Sequence, residues 1–567
     1  MLFDFDKVPF SKHQCFTTLS MMGEGADRAL YLRYVAGGDE RPSLGKLCRV
    51  RFEDETGHEL SPTYDLTPAA LKVSLFNGTE QVGTAAFAIG EGETLHFKAE
   101  NVAVIFALEG SRYDYAYKTA HGADCVVAAG ENLRLTPFVH HGQTNVSGQW
   151  RRDHAEKVEL RFTGVELDAG IMLHERLASK APSAGYEDAQ TQSSTAFEAW
   201  RTSDKGEAAL LANYLLWANC VPKQGYLTAP AIYMSKNHMI NIWSWDNAFS
   251  ALGVAENDPQ LAFDQFAAIF DHQDESGLLP DFVHDKGASY SFTKPPVHGW
   301  AISLMLQRNP DIFTEAQLAY LREKLVLQFN YWMKYTRADE HSLPSYAHGN
   351  DSGWDNASFF AEGGPVIGPD LPTFLALTAR TIAHLAKRAG DISQVSEFTQ
   401  HEDQLISLLL SQLWDGNTFQ VRLLHDQAKT LPDQSLIQFM PLLLGDKLPQ
   451  EIAAKLLQRF DELGMVTAWG PATESPNSTN YEADGYWRGP IWAPTTLLIA
   501  EGLLAQNERK RAHEIMQKYQ HLCETSGMAE NFDALSGAGL RDKAFAWTSA
   551  VYLRFAQLLA NDFGEEI

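Results

Sequence analysis

Residues 370–413 read DLPTFLALTARTIAHLAKRAGDISQVSEFTQHEDQLISLLLSQL, and two apolar stripes of helical period run through this stretch. Gly390 separates the two stripes, and Gly is typical just beyond the end of a helix. The members of the first stripe are Leu371, Phe374, Leu375, Ile382 and Leu385, and those of the second are Val395, Phe398, Leu405, Leu408 and Leu409. Positions three and four residues apart share one helix face. The stretch therefore predicts a pair of antiparallel helices.

Similar helical pairs follow one another from about residue 195 onward. They join 204–220 with 246–271, 296–307 with 315–337, 435–444 with 449–463, and 490–506 with 508–526. If the pairs close into a ring, the C-terminal part is an all-α (α/α)6 toroid whose inner helices present their loops at one end. Long loops in a compact domain usually carry function. Here they are 223–247, 274–298, 339–370, 464–492 and 527–545.

The first part of the chain instead alternates with a period of two. Leu71, Val73 and Leu75 alternate with polar residues before the Asn77-Gly78 turn signal, which is typical of half-buried antiparallel strands. Short strands with turn signals and no helical pattern between them favour a β-sandwich. We therefore expect a multidomain chain with an N-terminal antiparallel β-sandwich domain at residues 1–180, a linker at 181–200 and the (α/α)6 domain at 201–567.

Composition limits the partners. The chain has 567 residues with 46 Lys plus Arg against 72 Asp plus Glu, a formal net charge of −26. Such a charge repels phosphate backbones and anionic lipid, so we expect no nucleic-acid and no membrane partner. No signal-like N-terminal stretch and no long apolar run is visible, which predicts a soluble, cytoplasmic protein. The five scattered cysteines predict reduced, mostly buried thiols.

Three loops combine Trp with Asp or Arg. They are NIWSWDNAFS (241–250), SGWDNASFF (352–360) and YWRGPIWAP (486–494). A sugar explains this mixture, because its apolar ring face stacks on aromatic rings while its hydroxyls need charged partners. The alternative is that the Trp side chains fill the core of the ring and the polar residues cap helices. The sequence thus predicts a small-molecule carbohydrate as the substrate.

The motifs resemble those of a known group. YWRGPIW (486–492), SGWDNA (352–357), the LWDGNTF turn (413–419) and AENFDALSG (529–537) are similar to elements of the inverting (α/α)6-barrel glycosidases. Glycoside hydrolase family 63, with its bacterial mannosylglycerate and glucosylglycerate hydrolase-like members, is the nearest resemblance, and trehalases are more distant. The resemblance covers about residues 220–555. It implies an exo-acting inverting α-glycosidase that hydrolyses a small soluble α-glucoside or α-mannoside.

The resemblance also implies the catalytic pair. Inversion needs one carboxylic acid that protonates the leaving oxygen and one carboxylate that activates water. The Asp of SGWD, Asp355, takes the role of the acid, and the Glu of ENFD, Glu530, takes the role of the base. An apolar Trp354 beside Asp355 would raise the pKa of its carboxyl. The alternatives are a helix N-cap for Asp355 and a solvated loop acid for Glu530.

The expected substrate-binding residues come from the same loops. They are Trp243, Trp245, Asp246, Gln273, Asp351, Trp354, Trp487, Arg488 and Trp492. Asp246 matches the family element whose Asp binds sugar hydroxyls, and Asp351 is expected to bind hydroxyls or to support its loop. Arg488 is expected to be buried with a sugar hydroxyl or Glu530 as partner, or in a structural ion pair. Four residues of the 281–295 loop are expected on solvated surface, with a clamp for a glycerate aglycone as the alternative: His284, Lys286, Tyr290 and Lys294.

Other chemistry leaves little trace. GxSxG, Walker A and HExxH motifs are absent from the sequence, so no cofactor and no required metal is expected, although a structural calcium ion stays open. A non-hydrolytic carbohydrate-binding protein, or an epimerase or phosphorylase of the same fold, is the alternative function. The Glu of ENFD argues against a phosphorylase, and the lack of paired histidines in these loops argues against an epimerase.

Overall fold

A computed structural model describes residues 2–176, 182–204, 206–426 and 428–562. The chain forms two compact units. The first comprises Met1–Ser203, Trp217–Lys223 and Ser235–Ile240, and the second comprises Asp204–Leu216, Gln224–Met234 and Asn241–Ile567. The expected boundary between residues 180 and 181 lies outside the described residues.

One antiparallel sheet dominates the first unit. Its strands among the described residues are β1 (Phe10–Ser11), β2 (Thr17–Met22), β3 (Ala29–Tyr34), β4 (Lys46–Glu53), β5 (Ser61–Leu66), β6 (Leu71–Asn77), β7 (Glu80–Ile89), β8 (Thr94–Glu100), β9 (Ala103–Leu108), β10 (Tyr115–Lys118), β11 (Asp124–Ala128), β12 (Leu133–Arg151) and β13 (His154–His174). The expected alternation is confirmed in β6, where Leu71, Val73 and Leu75 are buried, and Asn77 pairs with Glu80 across the predicted turn.

The predicted β-sandwich is wrong, because the strands form a single curled sheet. The long strand β13 pairs with β9 through residues 159–162 and with β8 through residues 166–172, so hydrogen bonds join the two arms of the sheet. At the far ends of the arms, Phe3 bridges to Leu66 of β5. The result is a nearly closed barrel. Alternating burial looks the same in a sandwich and in a curled sheet, so the sequence pattern could not separate them.

Aromatic side chains fill the space between the two arms. The ring of Phe97 lies 4.9 Å from that of Phe162 and 5.4 Å from that of Phe106. Helix α1 (Tyr186–Trp200) falls within the segment expected as a linker, and it covers the outer face of β7 and β8. Its Tyr186 and Ala189 are buried against Ala86 and Ala88.

Helices form the second unit, except that the last three residues of the first of them belong to the first unit. They are α2 (Glu207–Asn219), α3 (Asp246–Val254), α4 (Pro259–Phe270), α5 (His298–Arg308), α6 (Glu315–Tyr335), α7 (Gly349–Ser352), α8 (Asp370–Arg388), α9 (Ile392–Leu413), a 3-10 segment (Leu436–Lys447), α10 (Gln450–Glu462), α11 (Ala493–Ala505), α12 (Arg509–Ser526) and α13 (Ala546–Asp562). The pair predicted from residues 370–413 is confirmed as α8 and α9. The helix predicted at 246–271 is two helices, since Pro259 begins α4, and α13 was missed.

The inner helices follow one another in a ring. In order, α3, α5, α8, the 3-10 segment, α11 and α13 each pack on the next, and α13 packs on α3. All nine residues of α3 are buried. Trp245 before α3, Trp492 before α11 and Trp547 in the first turn of α13 belong to one aromatic cluster, which places the starts of these helices at one end.

Short strands lie in the loops of the chain. They are Cys220–Val221, Ala231–Ile232, Ile242–Trp243, Phe282–His284, Gly287–Ser289, Val366–Ile367, Arg422–Leu423, Asn531–Phe532 and Gly539–Leu540. The five cysteines are unbridged and buried, as expected. In the part of the chain that the structure describes, no helix combines the length and the apolar character needed to cross a membrane.

A buried arginine ties segments of the first unit together. Arg33 of β3 is fully buried and donates hydrogen bonds to the carbonyls of Leu44, Lys236 and Asn237 and to the hydroxyl of Ser20. Unpaired carbonyls in a protein interior are costly. Residues 235–240 therefore belong to this unit although they lie far along the chain.

Arg33→Met should lower the free energy of unfolding by on the order of 3 kcal/mol, because it leaves several buried acceptors without a donor. Urea unfolding followed by circular dichroism measures the change. Arg151→Met is the control: Arg151 lies on β12 with 62% of its side chain exposed, and its loss should cost less than about 1 kcal/mol. Equal effects of the two substitutions would contradict the role given to Arg33.

Candidate active site

The turn at residues 485–491 connects the two loops that carry Asp355 and Glu530. On one side, the Asn356 side chain accepts a hydrogen bond from the Trp487 amide at 3.0 Å and donates one to the Gly485 carbonyl at 3.1 Å. On the other side, the backbones of Ile491 and Phe532 exchange hydrogen bonds of 2.7 and 3.0 Å. The three motifs, which are far apart in sequence, are therefore joined by the Asn356 side chain on one side and by backbone hydrogen bonds on the other.

Tyr486 lies at the centre of this arrangement. Its backbone has φ +61°, an uncommon conformation for a bulky residue. Its carbonyl accepts a hydrogen bond from the Trp492 indole at 2.8 Å, and its hydroxyl donates to the Glu530 carboxylate. Burial raises the pKa of Tyr486, and the charges of Glu530, Asp355 and Asp246 raise it further. The three carboxyls thus surround one phenol.

Glu530 is 6% exposed. Burial raises the pKa of its carboxyl to about 7, and the charge of Asp542 adds to the rise, whereas Arg541 and the Tyr486 hydroxyl oppose it. Its backbone amide donates to the Asp542 carbonyl at 2.8 Å. The alternative of a solvated loop acid is therefore wrong, and Glu530 is a carboxyl that can change protonation near neutral pH.

Asp355 follows the fully buried Trp354. Burial raises the pKa of its carboxyl to about 6, the Lys294 charge opposes the rise, and the Asp281 charge adds to it. The 3-10 turn that follows, Ser358–Phe360, has Ala357 at its N-cap, so the N-cap alternative for Asp355 is wrong. Asp355 lines a cavity of about 330 Å³.

Asp246 is the first residue of α3 and is 4% exposed. Burial raises the pKa of its carboxyl to about 8 against the effect of the Lys294 charge, and Asp355 and Asp281 contribute to the rise. A buried carboxyl that lacks an ion-pair partner is costly unless it is protonated or bound by a ligand. The buried Asp246 carboxyl therefore favours either a proton or a ligand that donates hydrogen bonds to it.

The tryptophans form a cluster beside the carboxyls. Trp487 and Trp492 stack in parallel with ring centroids 4.2 Å apart. Trp354 lies 5.5 Å and Trp245 5.9 Å from Trp487. These four are at most 2% exposed, so the alternative that tryptophans fill the core of the ring describes much of their packing. Trp243 is the exception: it is half-buried against Phe282. Sugar contacts of all five stay predictions.

Arg488 differs from its expected environment. One third of its side chain is exposed, and it forms an ion pair with Glu482 at 2.8 Å. The expected contact with Glu530 is wrong, because the turn directs this side chain toward Glu482. Arg488 still lines the cavity that contains Asp355, so its predicted sugar contact remains a prediction.

Two further expected residues support loops. The Gln273 amide donates to the carbonyls of Gly277 and Lys324, both at 3.1 Å. The buried Asp351 carboxylate accepts from the amides of Thr293 and His348. These contacts agree with the loop-supporting role considered for Asp351. Sugar binding by either residue stays a prediction.

Three residues near the carboxyls were missed or misjudged from the sequence. Tyr486 belongs to the YWRGPIW motif, but its hydroxyl was not singled out. Asp281 was not considered, and Lys294 was expected on solvated surface. Lys294 is 6% exposed, so this expectation is wrong. Their position in the loops before inner helices is the one sequence signal that points to Asp281 and Lys294.

Gly353 allows the tryptophan cluster to form. It has φ +72°, and a Cβ atom there would lie 2.5 Å from the Trp245 ring. Gly390, at the end of α8, has a similar φ of +76° with nothing within 4 Å of its would-be Cβ atom. The two glycines therefore share the backbone requirement and differ in the crowding.

Gly353→Ala should destabilise the protein more than Gly390→Ala. Both substitutions carry the cost of a left-handed backbone, about 1–2 kcal/mol. Only Gly353→Ala adds a clash worth about 1–3 kcal/mol. Urea unfolding and near-ultraviolet circular dichroism, which reports on packed tryptophans, measure the difference. Identical spectra and stabilities for the two variants would show that Trp245 adapts freely.

Comparisons with known proteins address the family. The model of the mannosylglycerate hydrolase MGH1-like glycoside hydrolase domain matches residues 239–548. The chain is 24% identical over 407 residues to a mannosylglycerate hydrolase of Rubrobacter radiotolerans, which covers 55% of this chain and 89% of that protein. It is 24% identical over 451 residues to a glucosylglycerate hydrolase of Mycolicibacterium hassiacum, covering 61% and 97%.

Solved structures show the same fold. A family 63 mannosylglycerate hydrolase from Thermus thermophilus, in complex with Tris and D-glycerate, covers 61% of this chain and 99% of its own, with a TM-score of 0.54 and 20% identity. A bacterial glucoamylase in complex with acarbose covers 98% of this chain and 95% of its own, with a TM-score of 0.64 and 12% identity. The likeness to the glucoamylase thus extends over both units of the chain.

The matched domain extends over more than half of the chain and contains Asp246, Asp355, the 485–491 turn and Glu530. The resemblance to the six-hairpin glycosidases of family 63 is thereby confirmed, and the protein is a glycoside hydrolase. The chain belongs to the family of mannosylglycerate hydrolase MGH1-like glycoside hydrolases.

Proposed function

We propose that this hydrolase removes a terminal glucose or mannose from a small α-linked glycoside and inverts the anomeric carbon. Asp355 is the general acid and Glu530 the general base. The observation that carries the proposal is the pair of buried carboxyls on separate loops, both held by the 485–491 turn and both with a pKa raised toward neutrality. One group can then hold a proton while the other accepts one.

The proposed reaction uses one proton from each side. Asp355 donates its proton to the glycosidic oxygen as the bond to the anomeric carbon breaks. Glu530 removes a proton from the water that attacks the opposite face of that carbon. The productive form carries its single proton on Asp355, although the pKa of Glu530 (about 7) is higher than that of Asp355 (about 6), so substrate binding must favour this placement of the proton. Forms of the pair with two protons or none are inactive. Activity should therefore fall on both sides of neutral pH.

Asp246 is proposed to bind hydroxyl groups of the sugar. It opens α3, is buried, and is close enough to Asp355 for each charge to affect the other. Sugar hydroxyls would supply the donors that its carboxylate lacks from ion-pair partners. The named activities of the relatives support a small glycoside of glucose or mannose, with an aglycone such as glycerate. A cytoplasmic location stays a prediction.

Asp355→Asn should reduce kcat/KM for glycosides with poor leaving groups by about 10²–10⁴-fold, since an amide keeps the shape but cannot donate the acid proton. The alkaline limb of the pH profile, which reports loss of the Asp355 proton, should disappear. Steady-state rates against pH measure both effects. Asp339→Asn is the control, because Asp339 is an exposed residue of the same loop. Activity within about tenfold of wild type would remove Asp355 from the acid role.

The stereochemical outcome tests the pairing of Asp355 with Glu530. Inversion requires that an α-linked substrate first yields the β-anomer of the free sugar. Proton NMR in the first minutes of hydrolysis, before mutarotation, identifies that anomer. A panel of α-glucosides and α-mannosides, including mannosylglycerate and glucosylglycerate, supplies the substrates. If the α-anomer forms first, the inverting assignment fails while glycosidase activity stands.

A further inference from the structure

Lys294 is a buried cation among acidic groups. Its side chain is 7% exposed, and its ammonium group lies 3.0 Å from an Asp281 carboxylate oxygen. The same group donates a hydrogen bond of 2.6 Å to the backbone carbonyl of Asn350 in α7. A buried ammonium group is costly to desolvate, so its retention needs compensating contacts. Here those contacts come from an acidic neighbour and from the loop that leads to Asp355.

The surrounding charges are strongly one-sided. Asp246 begins α3, Asp281 precedes the strand Phe282–His284, and Asp351 and Asp355 flank the end of α7. The Lys294 charge lowers the pKa of both Asp246 and Asp355, while Asp281 raises the pKa of both. Without a cation, these carboxyls would repel one another in a site of low dielectric constant.

The other charged or titratable neighbours do not replace Lys294. Those that affect Asp355 or its partners are His348, whose charge acts in the same direction as that of Lys294, and Tyr486, which donates to Glu530. Arg488 lines the Asp355 cavity but is paired with Glu482. Arg541 acts on Glu530. Lys294 contacts Asp281, and its charge acts on Asp355, Asp246 and Asp281 alike.

The segment that carries Lys294 is also bound to the loop that carries Asp355. The amide of Thr293 donates to the Asp351 carboxylate at 3.1 Å, and the Lys294 ammonium group holds the adjacent Asn350 carbonyl. These two contacts join the segment before α5 to α7, at positions five and four residues before Asp355. A movement of Lys294 would thus move the loop that carries the acid.

We propose that Lys294 is a positioning residue for the acid of the proposed function: it holds the α7 loop and supplies the counter-charge that Asp355 needs after it has given up its proton. This inference rests on the proposed function of Asp355. When the glycosidic bond breaks, the proton moves to the leaving oxygen, and Asp355 becomes a carboxylate in a buried site. The Lys294 charge then stabilises that carboxylate, and the next cycle begins when Asp355 regains a proton.

The test is a set of pH profiles of kcat/KM with a glycoside that the wild type hydrolyses. Lys294→Met removes the charge, so the pKa of Asp355 rises and the alkaline limb should move to higher pH by about one unit. Lys294→Arg keeps the charge, so its limb should stay near that of the wild type even if the rate falls. Asp281→Asn removes the carboxylate that raises the pKa of Asp355, so its alkaline limb should move to lower pH.

The control is Lys334→Met, since Lys334 is exposed on α6 and its loss should leave the profile unchanged. Opposite shifts in Lys294→Met and Asp281→Asn support the inference. Lower rates with unmoved limbs would overturn it and leave a purely structural role. If Lys294→Met fails to fold, the inference is judged by two results: the shift in Asp281→Asn and the unshifted alkaline limb in Lys294→Arg. A wild type that hydrolyses glycosides but keeps its alkaline limb in Asp355→Asn refutes the acid assignment instead, and the Lys294 inference falls with it.

Discussion

The hydrogen bonds that flank the 485–491 turn determine where the reactive groups lie. Asn356 binds the turn at Gly485 and Trp487, and Ile491 binds Phe532. Hydrogen bonds to the backbone on both sides of the turn fix the positions of the two loops, and a reaction that uses two carboxyls on opposite faces of a sugar needs that accuracy. Tyr486 stays in a strained conformation because both ends of the turn are held.

Burial then sets the protonation of the carboxyls. Asp246, Asp355 and Glu530 all have raised pKa values, and in each case desolvation is the largest cause. The buried tryptophans at this end of the ring therefore help to raise the pKa values of the carboxyls, whether or not they touch a sugar. The site also reduces the stability of the free protein, because several acidic groups are kept close together with few partners.

The sequence predicted helical hairpins such as α8 and α9, because their apolar stripes show which side of each helix is buried. It gave less information where burial is complete. The helices α3 and α11 are buried on nearly all sides, so an apolar stripe of helical period could not set their limits. The choice between a sandwich and a curled sheet depends on which strands pair with β13, a long-range property. Asp281 was missed and Lys294 was misjudged because an ion pair within a long loop has no local sequence pattern.

Ring closure has a consequence for how the protein is made. Helix α3 packs on α13, and about 300 residues separate them along the chain. During synthesis, a ribosome must therefore release almost the whole second unit before its first inner helix can meet its last neighbour. Until then, the apolar sides of α3 that α13 will cover are exposed, and this is the period in which a chaperone has most to bind. The loop that bears Glu530 emerges just before α13, so the loop that bears Asp355 waits for its partner until almost all of the ring has been translated.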